Sequence, residues 1–179
     1  MIRALRDEAL RLLNGGGAIL EAARDVSNAL LRNDIDGAVI GGVAVVLHGY
    51  VRTTADVDVY VSHLDLGLKD ALAEAGFQFR RGRREFVRDG IPVHIVPPED
   101  VSVVPREFEV VEGIRTVALS ALIDMKLASG LKNILRAIDL ADVVGLIRCR
   151  KLSPTFAGRL VKPLRADFRK LARAVSKSK

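Results

Sequence analysis

The chain contains no tryptophan and a single cysteine, Cys149. No disulfide can close within it, and that usage fits a reducing compartment. No apolar run approaches the ~20 residues that a membrane-spanning helix needs. The opening residues, Met1-Ile-Arg-Ala-Leu-Arg-Asp-Glu, carry acids and have no apolar signal core. A cytoplasmic protein with no membrane role is therefore expected. Disorder as a global state does not fit a chain that is 49% hydrophobic, because that much apolar surface can offset chain entropy. The 179 residues give room for one sizeable core and a small second lobe.

Acids are nearly missing from one end. From Arg148 to Lys179 there are eleven Lys and Arg against one acid, Asp167, a local balance of +10. The whole chain carries +6, so residues 1–147 sum to −4. A basic tail beside a mildly acidic body points to a polyanionic partner, tRNA or another RNA, or a nucleotide. A solvated helix face or a disordered terminus is the plain alternative, and for Ser176-Lys-Ser-Lys that alternative is the better reading.

Periodicity sets out the elements. Residues 2–14 have helical spacing and stop at Gly15-Gly-Gly, and 18–32 form a second amphipathic helix. Ala38-Val39-Ile40 reads as a short buried strand, Val43 to Leu47 as a short helix, and Asp56–Val61 as a strand. Ser62 and Asp65 look like a capping pair for a helix over 64–75. Strands follow at 77–80, 84–88 and 91–96, the last two joined by a hairpin turn at Asp89-Gly90. Residues 106–118 hold one or two more extended pieces. Helices are then expected over 119–129, ending at Gly130, over 132–148, and over 154–174 behind Ser153-Pro154. The expected fold is α+β: a mixed sheet of about four to six strands flanked by helices, with a helical C-terminal lobe. Residues 1–118 form the α/β core in this reading, and residues 119–179 the helical region with the basic tail.

One constellation carries chemistry. Gly41-Gly42 is followed ten residues later by Arg52-Thr-Thr54-Ala-Asp56-Val-Asp58. Carboxylates at i and i+2 in a strand face the same way. Such a pair can hold divalent ions that clamp the attacking and leaving oxygens of a phosphoryl transfer. The glycines bring backbone N–H groups close to where phosphates would lie. The plain alternative, solvent-facing acids of an edge strand, does not account for the Gly-Gly element at that distance.

This combination resembles the nucleotidyltransferase superfamily typified by DNA polymerase β. Lys126, followed by Arg136-x-x-Asp139-x-x-Asp142, is similar to the pattern of AbiEii-like nucleotidyltransferases, which include toxins of abortive-infection and toxin–antitoxin systems. The resemblance spans about residues 37–147. It implies that Asp56 and Asp58 bind Mg²⁺ (or Mn²⁺) and that Gly41 and Gly42 approach the triphosphate of an NTP. Arg52, Thr54 and Lys126 would help to hold the nucleotide, and Asp139 or Asp142, with Asp139 preferred, would complete the site. The implied activity is transfer of a nucleoside monophosphate to an RNA (tRNA) or protein hydroxyl, with an antitoxin-like protein partner among what the resemblance allows. The alternative is a catalytically silent member that binds nucleotide, RNA or a protein.

Residue by residue, several readings stay open. Lys126 lies among Leu122, Ile123, Met125 and Leu127, so its ammonium needs either an anionic partner or a path to solvent. Arg136 and Asp139 suit an i,i+3 ion pair. Many superfamily members place a third carboxylate on a later strand, where this chain has His94. Imidazole can ligate metal but lacks the charge that Mg²⁺ favours. A buried, hydrogen-bonded histidine is the expectation there, with Glu99 and Asp100 just beyond as compensating acids. Arg80, Arg81, Arg83, Arg84 and Arg88 make a basic hairpin suited to phosphate or RNA, or a merely solvated tip. Phe79 and Phe86 are expected as core anchors, His48 and His63 as structural, and Cys149 as an inert thiol.

Overall fold

The alternation in Val57-Asp-Val-Tyr-Val61 divides the molecule. In the computed structural model, which describes residues 17–64, 66–82 and 85–178, Val57, Val59 and Val61 are fully buried on one face of a sheet. Asp58 and Tyr60 point to the other face, as period-2 geometry requires. The helix expected over 2–14, Asp65 of the capping pair, and Arg83 and Arg84 of the basic hairpin lie outside the described residues.

Among the described residues the sheet has seven strands. They are β1 (Gly37–Ile40), β2 (Val57–Val61), β3 (Gln78–Arg80), β4 (Glu85–Arg88), β5 (Ile91–Val96), β6 (Phe108–Val111) and β7 (Ile114–Val117). Their order is β3-β4-β5-β2-β1-β7-β6. β2 runs parallel to β5 and antiparallel to β1, and β1 runs parallel to β7, so the sheet is mixed. The count exceeds the four to six expected because both edges are short hairpin strands with weak patterns. β3 is three exposed residues, and β6 returns to β7 through Glu112-Gly113, both at positive φ.

Helices cover both faces. α1 (Ala18–Arg32) lays Ile19, Leu20, Ala23, Val26 and Leu30 on the valine face, next to α3 (Leu66–Glu74). Each such buried aliphatic side chain contributes about 1.5–3 kcal/mol of transfer free energy. α2 (Gly41–Leu47) leaves the end of β1 directly. The opposite face carries α4 (Leu119–Lys132), α5 (Ala137–Cys149) and α6 (Arg165–Lys177), packed on Ala38, Ile40, Tyr60 and Val117. Asp58 opens onto that second face, so the C-terminal helices form part of its surroundings.

Two boundaries differ from expectation. Gly130 does not stop α4, which continues to Lys132. An added Cβ there would lie 2.6 Å from Leu140 Cγ, so the glycine permits α4 and α5 to approach closely. The actual break is Asn133, whose side chain accepts from Leu135 N–H and caps a 3₁₀ turn, Ile134–Arg136. Helix was expected from Pro154 onward, but 3₁₀ turns occupy Pro154–Arg159 and Lys162–Leu164, and α6 starts at Arg165. Pro163 has no N–H to continue a ladder. At the far end α6 runs to Lys177, so Ser176 and Lys177 belong to a solvated helix face, one of the two plain readings.

Candidate active site

Gly41 shapes the centre of the site. Its φ is +67°, a region that L side chains rarely adopt, and a Cβ there would overlap Asp58 Oδ2. A Cβ at Gly42 would overlap Thr54 Oγ1 and lie 3.0 Å from Arg52 Nη2. The two glycines thus hold the 52–58 segment against the β1–α2 junction. Thr54 Oγ1 donates to Asp56 Oδ1 at 3.3 Å, fixing the carboxylate that precedes β2.

Strand pairing brings in the third group. Asp58 on β2 is directly opposite His94 on β5. His94 Nδ1 lies 3.4 Å from Asp58 Oδ1 and 3.5 Å from Asp56 Oδ2. One ligand atom from each of Asp56, Asp58 and His94 can be chosen so that all lie within 4.8 Å of one another. The histidine is not buried as expected. Its side chain is 38% exposed. Burial and the neighbouring Asp56 carboxylate push the Asp58 pKa up, against the pull of His94 and Lys126. Two crowded carboxylates and an imidazole, with Asp58 packed against Gly41, fit a divalent cation.

Behind this cluster lies a buried ionic network. Lys126 Nζ on α4 sits 2.7 Å from Asp139 Oδ1 and 2.9 Å from Asp142 Oδ2 on α5. The lysine therefore has anionic partners and is not a surface residue. Asp139 also accepts from Ser129 Oγ at 2.7 Å and Arg136 Nε at 2.9 Å. Burial alone would raise its pKa, but the hydrogen bonds from Lys126, Ser129 and Arg136 outweigh that and hold it below the usual carboxylate range. Arg52 Nε lies 2.7 Å from Asp142 Oδ1, which ties the loop before β2 to α5. A cavity of about 320 Å³ joins the two clusters, with Gly41, Asp58, Asp100, Lys126, Arg136 and Asp139 on its wall. Of the two acids after β5, Asp100 reaches this cavity, while Glu99 also lines an apolar hollow beside Leu64 and Phe79.

Sequence reasoning missed Glu85. It is directly opposite His94 on the other side, and its buried carboxylate reaches within 3.5 Å of His94 Nε2 and of Arg80 Nη1. The signal was present: a two-residue turn at Asp89-Gly90 pairs Arg88 with Ile91, and counting back places Glu85 opposite His94. Arg88 pairs with Asp25 and lies 5.0 Å over the Phe77 ring, so of the described arginines Arg80 and Arg81 remain at the tip. Phe86 is a core residue, whereas Phe79 is 39% exposed on the edge strand. His48 is buried and donates to Val117 O, a structural role.

Among the described residues no helix is long and apolar enough to cross a membrane. No family model matches the chain, and no curated protein matches it. Solved structures do. ANT(2″)-Ia in complex with adenylyl-2″-tobramycin aligns with a TM-score of 0.55 at 16% identity, over 82% of this chain and 94% of that one. JHP933 from Helicobacter pylori gives 0.56 at 16%, over 93% and 92%. An antigenic nucleotidyltransferase-like protein from Paracoccidioides brasiliensis gives 0.52 at 17%, over 87% and 86%. The chain has the nucleotidyltransferase fold.

Proposed function

We propose that this chain is a metal-dependent nucleotidyltransferase that moves a nucleoside monophosphate from an NTP to a hydroxyl group. The observation that carries the reading is the convergence of Asp56, Asp58 and His94 beside Gly41. A divalent cation, Mg²⁺ or Mn²⁺, would be held by these three side chains and would supply Lewis-acid polarisation of a phosphoryl oxygen. Gly41 and Gly42 let Asp58, Thr54 and Arg52 pack against the β1–α2 junction, and the cavity of about 320 Å³ that Gly41 and Asp58 line is the space for the triphosphate. Lys126 and Arg136 lie on the cavity wall; Lys126 is shared between Asp139 and Asp142, so the more exposed Arg136 is the better placed of the two to balance phosphate charge. Arg52 and Asp142 hold the carboxylate-bearing loop against α5, so the residues' main work is positioning. The acceptor hydroxyl gives up its proton to a carboxylate or water beside it, its oxygen bonds to the α-phosphorus, and the bond from that phosphorus to the leaving pyrophosphate breaks. Asp56, the more exposed of the two aspartates, is the carboxylate on the acceptor side.

For the acceptor we favour RNA, tRNA in particular, over a protein hydroxyl. The basic, solvent-facing side of α6 supports this. ANT(2″)-Ia, with its adenylyl-2″-tobramycin, makes AMP transfer the natural first trial. The Lys126–Asp139–Asp142 network keeps an AbiEii-like, toxin–antitoxin role in this proposal, with growth arrest relieved by D56A as its sign. His94, in place of a third carboxylate, motivates a second reading: a silent protein that retains nucleotide, RNA or a partner. Pyrophosphate release from each of the four NTPs in the presence of tRNA separates the two. Release that D56A/D58A abolishes supports the transferase. Nucleotide retained without any release supports the silent protein.

A further inference from the structure

The pairing register builds a row across four strands. Arg80 is opposite Glu85, Glu85 opposite His94, and His94 opposite Asp58, so all four side chains share one sheet face. The two ring nitrogens of His94 therefore have different partners. Nδ1 faces the Asp56–Asp58 pair, and Nε2 faces Glu85 at 3.5 Å. The Glu85 side chain is only 7% exposed. A carboxylate so buried needs proton donors. Arg80 Nη1 donates to it at 3.5 Å, and His94 Nε2 lies 3.5 Å away, while Nδ1 is at hydrogen-bond distance, 3.4 Å, from Asp58 Oδ1, a contact whose direction the tautomer decides.

We infer that Glu85 fixes the proton of His94 on Nε2, turns the Nδ1 lone pair toward Asp56 and Asp58, and so makes a two-carboxylate, one-imidazole centre that selects Mn²⁺ or Co²⁺ over Mg²⁺. This rests on reading Asp56, Asp58 and His94 as a metal centre. A carboxylate behind a ligating histidine orients the ring and raises its basicity. Mg²⁺ demands near-ideal octahedral geometry and keeps its oxygen ligands. Among first-row ions affinity for a site with a nitrogen donor rises from Mn²⁺ to Co²⁺, so the imidazole favours Co²⁺ most, and Mn²⁺, itself suited to carboxylates, tolerates it better than Mg²⁺. The neutral ring also leaves the ligand set one negative charge short of three carboxylates, which weakens the hold on a hard cation most. A competing arrangement exists: an imidazolium clamped between Glu85 and the aspartates, offering no nitrogen to any metal.

The two differ in a magnetic signature. Mn²⁺ would be added to the full-length protein without nucleotide and examined by pulsed electron paramagnetic resonance, with Mg²⁺ and Co²⁺ as competitors. We expect a ¹⁴N coupling from a directly bound imidazole and an Mn²⁺ affinity at least about tenfold above that for Mg²⁺. H94D should abolish the coupling and shift the Mn²⁺-to-Mg²⁺ ratio toward Mg²⁺ by about tenfold or more. E85Q keeps shape and an acceptor oxygen but loses the charge. It should lower Mn²⁺ affinity by about 10–100-fold, the usual effect of changing a group behind a metal ligand, with an unchanged melting curve. Bound Mn²⁺ without nitrogen coupling in the parent would overturn the inference while leaving the metal centre standing, and that measurement needs no variant. An unchanged metal ratio in a folded H94D would do the same. If neither Mn²⁺, Co²⁺ nor Mg²⁺ binds the parent, the metal-centre reading falls and takes this inference with it.

Discussion

Gly41 has the least freedom to change of any residue at the site. Alanine there meets Asp58 Oδ2 and adopts a strained φ. G41A should cost about 1–3 kcal/mol in urea unfolding and displace the Asp58 carboxylate. Lys126 carries a different constraint. Removing its charge leaves Asp139 and Asp142 buried with fewer partners, so K126M should destabilise by about 3–5 kcal/mol, measured the same way. Asp124, on α4, adds a pH dependence. Burial raises its pKa from 3.8 to about 6, although Val161 N–H donates to it. The folded state thus binds that proton more tightly than the unfolded chain. The stability it contributes is complete below pH 3.8 and is lost as pH rises through about 6. Unfolding free energies of the parent should therefore fall relative to D124N across that window and run parallel above it. The site aspartates were legible in sequence because Asp-x-Asp after Gly-Gly is a local pattern. Glu85 was legible only indirectly, by counting the register back from the Asp89-Gly90 turn, since its role depends on a pairing across strands and not on a local pattern.

Among the elements, those with strong local periodicity were read closely: α1, β1, β2 and β5 lie within a residue or so of expectation. The C-terminal helices were read less well, because glycine and proline carry two meanings there. Gly130 looks like a helix stop and acts as a contact surface for Leu140. G130A should raise intrinsic helix propensity by up to about 1 kcal/mol. It should nonetheless lower the melting temperature, because overpacking costs about 1–3 kcal/mol. L140A should then be less damaging in the G130A background than alone, a coupling that a double-mutant cycle reads directly. Gly145 of α5 packs against the Tyr50 ring in the same manner. Both glycines help set α5 against the rest of the molecule, and α5 supplies Asp139 and Asp142.

For the molecule as a whole, the sheet places the ligand-type side chains on the face that the C-terminal helices cover. The basic end of the chain forms the outer surface of that covering layer. α6 buries Phe168, Ala172 and Val175 and leaves Arg169, Lys170, Arg173 and Lys177 exposed. If RNA is the acceptor, neutralising those four should weaken tRNA retention and flatten its salt dependence, while leaving the melting curve unchanged. The central claim is that the Asp56–Asp58–His94 cluster supports nucleotidyl transfer. The direct measurement is transfer of α-labelled NTP to total tRNA or to the protein itself, with Mg²⁺ or Mn²⁺, comparing the parent with D56A/D58A. We expect label on one acceptor with the parent alone. Equal labelling by the folded double variant, or none from any NTP, metal and acceptor, would contradict it.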